Sequence, residues 1–204
     1  MRTFHAGNLP AISGFVGRLL RLDFSAFDDV RSDPATTTPA LLVVGGASFL
    51  AGLGSWIWAL QEGAVNSGDV FVRSVLLGSI LQVLAWLLWV YVVYQILARI
   101  YGAHVDFYEM IRVMGFAFAP VGLTILIGIQ SLAIPLGLIF WGMTLLLTNA
   151  SIQTTTTADN QQVTVSNLAA FAVFAIVMGF LANVAEVSEV GGLAPGLFFF
   201  SLDF

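Results

Sequence analysis

The residues that could carry chemistry in this chain lie in two short polar stretches. Each stretch combines carboxylates with an arginine and is followed by a long apolar segment; their residues are Asp28, Asp29, Arg31, Asp33, Pro34, Asp106, Glu109 and Arg112. The carboxylates all lie outside the apolar segments, so none is placed to carry a proton or an ion through a membrane. The two stretches therefore indicate a charged surface rather than a buried site.

An enzyme would need further groups beside these charges, and the sequence does not supply them. His5 and His104 each lack a second histidine at metal-ligand spacing, and the chain has no cysteine. No serine stands in a Gly-x-Ser-x-Gly turn, and no glycine-rich loop precedes a basic residue in the phosphate-binding pattern. We predict a non-enzymatic protein with no cofactor.

The second stretch has a plain structural interpretation and a functional one. Asp106 and Glu109 have the spacing of a capping box, and Arg112 stands one helical turn after Glu109, at ion-pair spacing. These residues would then start and stabilise a helix. Alternatively, they form a face with the first stretch that binds a partner. The sequence leaves both interpretations open.

The amino-acid composition indicates that the chain lies in a membrane. Hydrophobic residues make up 58% of the 204 residues and charged residues only 9%, with a mean hydropathy of +0.93. Soluble domains carry roughly 25% charged residues, so the chain is an integral membrane protein in contact with a lipid bilayer. Its net charge of -5 and its lack of lysine argue against nucleic acid as a partner.

The uncharged segments predict an all-α bundle of five transmembrane helices. Spans are expected at about 39–60, 75–98 and 168–184, with two more between Arg112 and Asp159 that break near 127–131. Small residues give the first span a face for close helix packing, within the bundle or against a second copy. Gln82, inside the second span, is expected to hydrogen-bond to a neighbouring helix. Pro120 and Pro135 are expected to kink their helices.

Flanking regions complete the predicted organisation. Residues 1–38 form an N-terminal segment with an amphipathic helix at 9–22, which lies either in the lipid interface or on the protein's own spans. Residues 39–185 form the five-span domain, and 186–204 an apolar tail. All arginines except Arg73 fall on the N-terminal side of the predicted topology, which predicts a cytoplasmic N-terminus and an external C-terminus. The arginine bias without lysine suggests a prokaryotic cytoplasmic membrane.

Two motifs carry a family resemblance. After the charged helix start comes a Gly-aromatic-x-x-x-Pro segment, and residues 27–44 lead into the first span; the motif residues are Gly115, Phe116 and Pro120. In this order the stretches resemble the Yip domain family, and its prokaryotic members in particular. The resemblance implies a five-span membrane protein acting as a scaffold or accessory subunit, with the residues of both stretches as the family motif and candidate partner face.

Eukaryotic members of the family act with prenylated GTPases, so the resemblance also implies GTPase partners. The corresponding N-terminal Asp-Leu-x-Gly-Pro signature is represented here only by Asp33-Pro34, which argues against a GTPase partner. A membrane-protein partner or a homo-oligomer is expected instead. The alternative function is a small channel or transporter, alone or as an oligomer.

Overall fold

A computed structural model describes residues 9–21, 23–61 and 66–184, and within them the chain is almost entirely helical. Its α-helices are α1 (Leu9–Leu20), α2 (Ala26–Arg31), α3 (Thr37–Gln61), α4 (Ser67–Phe71), α5 (Gly78–Gln95), α6 (Phe107–Ala117), α7 (Ala133–Gln153) and α8 (Asn160–Val184). The predicted all-α architecture is confirmed. The predicted tail at 186–204 lies outside the described residues.

Five helical segments are long and apolar enough to cross a membrane, as predicted. They are span 1 (Pro34–Gln61), span 2 (Ser67–Ile100), span 3 (Phe107–Gly128), span 4 (Ala133–Gln153) and span 5 (Asn160–Leu181). In span 3, 83% of the most apolar window is buried inside the protein, against 39–44% in the others. Span 3 is therefore the most buried of the five, with spans 1, 2 and 4 packed directly against it and span 5 packed on spans 2 and 4.

Glycines allow span 3 to lie directly against span 1. A Cβ atom added to Gly115 would lie 2.9 Å from the Cβ of Ala40, and one added to Gly54 would lie 2.6 Å from the carbonyl oxygen of Thr124. The small residues of span 1 are thus used for packing within the chain. A Cβ atom added to Gly45 or Gly46 would have no other atom within 4 Å, and Gly46 is exposed.

Pro120 changes the type of helix in the middle of span 3. After α6 the chain continues as a 3₁₀-helix at Ala119–Gly128, with proline in its first turn. Proline has no N–H to donate, and the tighter i to i+3 pattern resumes at Val121, whose N–H donates to Phe118 at 3.1 Å. The expected distortion is present. Pro135 lies in the first turn of α7, where proline costs no helical hydrogen bond. The prediction that Pro135 kinks its helix is therefore wrong.

The fifth span begins earlier than predicted. Helix α8 starts at Asn160 rather than near 168, because Asp159 and Gln162 form a reciprocal capping box. The N–H of Gln162 donates to Oδ1 of Asp159 at 2.8 Å, and the N–H of Asp159 donates to Oε1 of Gln162 at 3.2 Å. Residues 160–167, which are mostly polar and precede the predicted start, are helical. The second span likewise begins at Ser67, ahead of the predicted start at 75.

Helix α1 packs on the bundle. Phe15 and Leu19 are buried, and the ring of Phe15 lies 4.8 Å from that of Phe116 in span 3, centroid to centroid. Contact with the protein's own spans, one of the two placements left open by the sequence, is therefore present. Two aromatic residues of span 2 also turn inward: Trp86 and Trp89 are fully buried in the core, whereas Tyr91 is 49% exposed.

Candidate partner-binding face

Three segments meet at one end of the bundle, which we call the N-terminal face. They are the α2 region (23–36), the connection into α6 with its first turns (101–112), and the turn between α7 and α8 (154–159). Hydrogen bonds join all three segments. The charged residues of both polar stretches are thereby brought together, as the sequence predicted.

Arg112 holds α2 against span 3. Its Nε donates to the backbone carbonyl oxygen of Arg31 at 2.8 Å, and its Nη2 donates to the same oxygen. Arg31 is the last residue of α2, so the guanidinium satisfies a carbonyl left free at the helix end and places positive charge at the negative end of the helix dipole. The side chain is only 7% exposed. The ion pair expected between Arg112 and Glu109 does not form among the described residues.

Arg31 repeats the same interaction one helix further on. Its guanidinium donates to the carbonyl oxygen of Thr154, the C-cap residue of α7. The two arginines therefore act in series: Arg112 of span 3 binds the end of α2, and Arg31 of α2 binds the end of span 4. Both positive charges are directed at backbone carbonyls within the protein.

The connection into α6 is bound to the α7–α8 turn. Gly102 has a φ of +63°, which reverses the chain after span 2. The N–H of His104 then donates to Oγ1 of Thr157 at 3.1 Å, and the N–H of Thr157 donates back to the carbonyl of His104 at 3.2 Å. An isolated antiparallel bridge joins Val105 to Thr156. The sequence indicates only a polar loop at the threonine run 154–157, because a side chain in a polar turn gives no signal of its partner.

Two aspartates of the face are helix caps. Oδ1 of Asp106 accepts the N–H groups of Tyr108 at 2.8 Å and Glu109 at 2.9 Å, as half of the predicted capping box. Asp33 accepts the N–H of Ala35 at 3.0 Å, with Pro34 at the first position of a short 3₁₀-helix. Both carboxylates have a structural role that leaves their charge on the outside.

Arg18 attaches α1 to the same end. Its guanidinium lies 2.8 Å from the Asp23 carboxylate and 2.9 Å from that of Asp29. These hydrogen bonds raise the pKa of Arg18. The Ser25 hydroxyl and then Arg18 lower the pKa of Asp23, because both hydrogen-bond to its ionised form. All of these groups are well exposed to solvent, so each pair contributes little stability.

The outer surface of this end is acidic and carries aromatic side chains. Because Arg31 and Arg112 are turned inward, the charges at the surface are mainly carboxylates: Asp28, Asp29, Asp106 and Asp159 are exposed and Glu109 is partly exposed. Tyr108 is 66% exposed and Phe24 is 44% exposed. No three carboxylates or histidines approach closely enough to hold a metal ion within the described residues.

The remaining motif residues lie beneath this face, in the interior. Gly115 contacts Ala40 of span 1, Phe116 is fully buried against Phe15 of α1, and Pro120 is buried at the start of the 3₁₀-helix. The eleven motif residues thus divide into a surface group and a group that supports it from inside the bundle.

The comparisons with known proteins agree with this geometry. A family model described as the Yip1 domain matches residues 19–185, a segment that runs from α1 through all five spans. The comparison with curated proteins and the comparison with solved structures each return no match.

Proposed function

The chain belongs to the Yip1 domain family, and from this premise we propose that it is a non-enzymatic membrane scaffold that binds a partner membrane protein through its N-terminal face. The observation that carries the proposal is the pair of buried arginine contacts at this end. Arg112 and Arg31 fix α2, span 3 and span 4 to one another. A surface that is rigid before binding loses less conformational entropy when a partner docks.

The charges at this end specify the chemistry of the partner. With Arg31 and Arg112 turned inward, Asp28, Asp106 and Glu109 present carboxylates at the same end of the bundle as the exposed ring of Tyr108. Anionic headgroups are repelled by such a surface, whereas lysine and arginine side chains are attracted to it. We infer a partner with basic residues near the ends of its own spans.

We further propose that this end faces the cytoplasm of a prokaryotic cell. Arg18, Arg21 and Arg99 lie near it, whereas Arg73 lies at the start of span 2, near the opposite end. The positive-inside rule would also place the basic loops of a neighbouring membrane protein on the cytoplasmic side. A basic juxtamembrane segment would therefore meet the acidic face at the same level. Asp33 and Pro34 serve to start a helix, which supports a partner other than a GTPase.

The proposal is tested by photo-crosslinking in the native membrane. A photoreactive amino acid in place of Tyr108 should give one discrete adduct, because this side chain is exposed beside the carboxylates. The matched control carries the same amino acid in place of Val72. This residue is 44% exposed and lies near the start of span 2, at the opposite end of the bundle from Tyr108. Neutralising the face with Asp28→Asn and Glu109→Gln should remove the adduct at position 108. Equal adducts at both positions, unaffected by the double variant, would overturn the proposal.

A channel or transporter is the second candidate, and one observation favours it. Gln82 is fully buried near the middle of span 2, and its amide has no hydrogen-bond partner among the described residues. Polar groups at this depth often line a pathway. Flux of water or small solutes into protein-containing liposomes at a rate above that of empty ones, abolished by Gln82→Met, would support this candidate over the scaffold.

A further inference from the structure

Besides Asn149 near the end of span 4, three residues inside the bundle have buried polar side-chain atoms with no hydrogen-bond partner in the part of the chain that the structure describes. They are the Ser48 hydroxyl, both amide atoms of Gln82 and the indole N–H of Trp86. All three residues are 0% exposed. The interhelical hydrogen bond expected of Gln82 from the sequence is therefore not made to another protein group.

The three side chains lie along one helix contact. The Ser79 hydroxyl donates to the carbonyl oxygen of Ser48 at 3.2 Å, which fixes the register between span 1 and α5. A Cβ atom added to Gly52 would lie 2.9 Å from the Cα of Val75, so the two helices run antiparallel and close together. Gln82 follows Ser79 by three residues and Trp86 follows Gln82 by four. This spacing puts them on one face of α5, at successive turns from the level of Ser48.

This contact lies at the centre of the membrane. Gln82 is near the midpoint of span 2 (Ser67–Ile100), and Ser48 is near the midpoint of span 1 (Pro34–Gln61). The hydrocarbon core offers no bulk water to hydrogen-bond a polar group, so each unpaired donor or acceptor there is costly. Three residues with unpaired groups in one place call for a common partner.

Other polar side chains at similar depth are satisfied by the fold. The indole N–H of Trp89 donates to Oδ1 of Asn167 at 3.1 Å, and Nδ2 of Asn167 donates to Oγ1 of Thr148 at 3.0 Å. The Thr144 hydroxyl donates to the carbonyl of Phe140 at 2.8 Å. Trp86 and Trp89 are one turn apart on α5, yet only Trp89 has a protein acceptor. The unpaired groups are thus concentrated on the side of span 2 that faces Ser48.

We propose that Ser48, Gln82 and Trp86 form an internal water-binding site between spans 1 and 2. The site offers donors from the indole and the amide, an acceptor from the amide oxygen, and a hydroxyl that can do either. The sequence carries no charged residue at 34–61 or 74–98, which favours a neutral guest. Because the three residues are fully buried, the guest is small, and buried water in proteins bridges such groups with about three hydrogen bonds.

The site is distinct from the lipid-facing groove nearby. That groove has a volume of about 410 Å³ and is lined by Gly45, Phe49, Ile80 and other side chains that are almost all apolar. Acyl chains of the bilayer suit that groove, whereas the amide of Gln82 requires hydrogen bonds. Water is therefore assigned to the fully buried Gln82 and Trp86, and lipid to the groove, whose lining includes Ser79.

Solid-state NMR of the ¹⁵N-labelled protein in lipid bilayers tests the assignment. Magnetisation transfer from water should reach the Trp86 indole N–H and the Gln82 side-chain NH₂. Trp89 is the internal negative control, because its indole N–H is buried and already bonded to Asn167. Transfer to Trp86 at least several-fold stronger than to Trp89 is the expected result. Equal and negligible transfer to both indoles overturns the proposal.

Variants then establish that the three groups share one site. Gln82→Met removes the amide while keeping the side-chain length and should reduce water transfer to Trp86 several-fold. Gln95→Met, near the end of α5, is the matched control and should leave it unchanged. Ser48→Ala provides a second, smaller change should Gln82→Met fold poorly. Undiminished water transfer to Trp86 in Gln82→Met or Ser48→Ala would contradict a shared site.

Discussion

The Nε atom of Arg112 lies 2.8 Å from the backbone carbonyl oxygen of Arg31. A side chain of span 3 therefore hydrogen-bonds to the C-terminal end of α2, 81 residues earlier in the chain. Arg31 in turn donates to the carbonyl of Thr154 at the end of span 4. These contacts convert two separate polar stretches into one surface. They also contribute to the acidity of that surface, because Arg31 and Arg112 are directed inward whereas Asp28, Asp106 and Asp159 remain exposed.

Replacing Arg112 should loosen the attachment of α2. Arg112→Ala removes charge-assisted, part-buried hydrogen bonds to the Arg31 carbonyl and is expected to cost about 1.5–3 kcal/mol of stability. Thermal unfolding in a mild detergent measures the loss. Arg99→Ala is the control, because Arg99 is exposed and should give a change near zero. Equal melting temperatures for the two variants would show that the Arg112 contact does not hold α2.

The glycines of span 1 should respond in opposite directions. A Cβ atom at Gly54 would lie 2.6 Å from the Thr124 carbonyl oxygen, so Gly54→Ala is expected to destabilise by about 1–3 kcal/mol through overpacking. At Gly46 nothing lies within 4 Å, and Gly46→Ala should be neutral or stabilise by about 0.4–1 kcal/mol through the unfolded state. Unfolding of both variants in one detergent compares them. A more stable Gly54→Ala protein would contradict the packing of span 3 on span 1.

Two substitutions distinguish the helix-capping role of Asp106 from the role of its negative charge. Asp106→Ala removes the acceptor for two N–H groups and should cost about 0.5–2 kcal/mol, whereas Asp106→Asn keeps an acceptor and should cost much less. Both variants lose the negative charge. If the face binds a basic partner, Asp106→Asn should weaken partner recovery while its melting temperature stays near that of the wild type. Full recovery with Asp106→Asn would show that this carboxylate acts only as a cap.

Acid pH should weaken the contact between Arg18 at the end of α1 and Asp23 in the connection to α2. The Asp23 pKa is lowered by the Ser25 hydroxyl and by Arg18, so its stabilising contribution is present above the unfolded-state pKa of about 3.9 and is lost as the pH falls through the lower folded value. Since the chain has no cysteine, spin labels can be placed uniquely through Gly17→Cys and Tyr108→Cys. The distribution of distances between the two labels should broaden or shift to longer values below about pH 4. Asp23→Asn should show the acid distribution already at neutral pH; a pH-independent distance in the wild type would count against this contact.

The five spans could be predicted because long uncharged segments have few alternatives in a membrane protein. The 46 residues between Arg112 and Asp159 had to cross twice, and the break falls where expected, after Gly128. The early start of span 5 was missed because Asn160 to Asn167 are mostly polar. Hydropathy assigns such residues to a loop, whereas the capping box at Asp159 and burial of Ser166 and Asn167 make them helical.

The candidate site was only partly predictable for a different reason. The sequence indicated that Arg31, Asp33, Asp106, Glu109 and Arg112 share one end of the protein, but it suggested pairs between opposite charges. The arginines bind backbone carbonyls instead, and every residue has a carbonyl, so the sequence does not mark which one is free. Helix ends become visible as acceptors only after the helices have been placed.

The measurement that tests the central proposal most directly is the stoichiometry of proteins recovered with the chain in native nanodiscs from its source membrane. We predict one membrane protein at a fixed ratio by mass spectrometry, carrying basic residues next to its spans. Recovery should fall several-fold with Asp28→Asn and Glu109→Gln combined and should persist with Asp69→Asn, a neutralisation at the start of span 2. Recovery of the chain with lipid alone, or of a partner that is insensitive to the double variant, would contradict the proposed role of the N-terminal face.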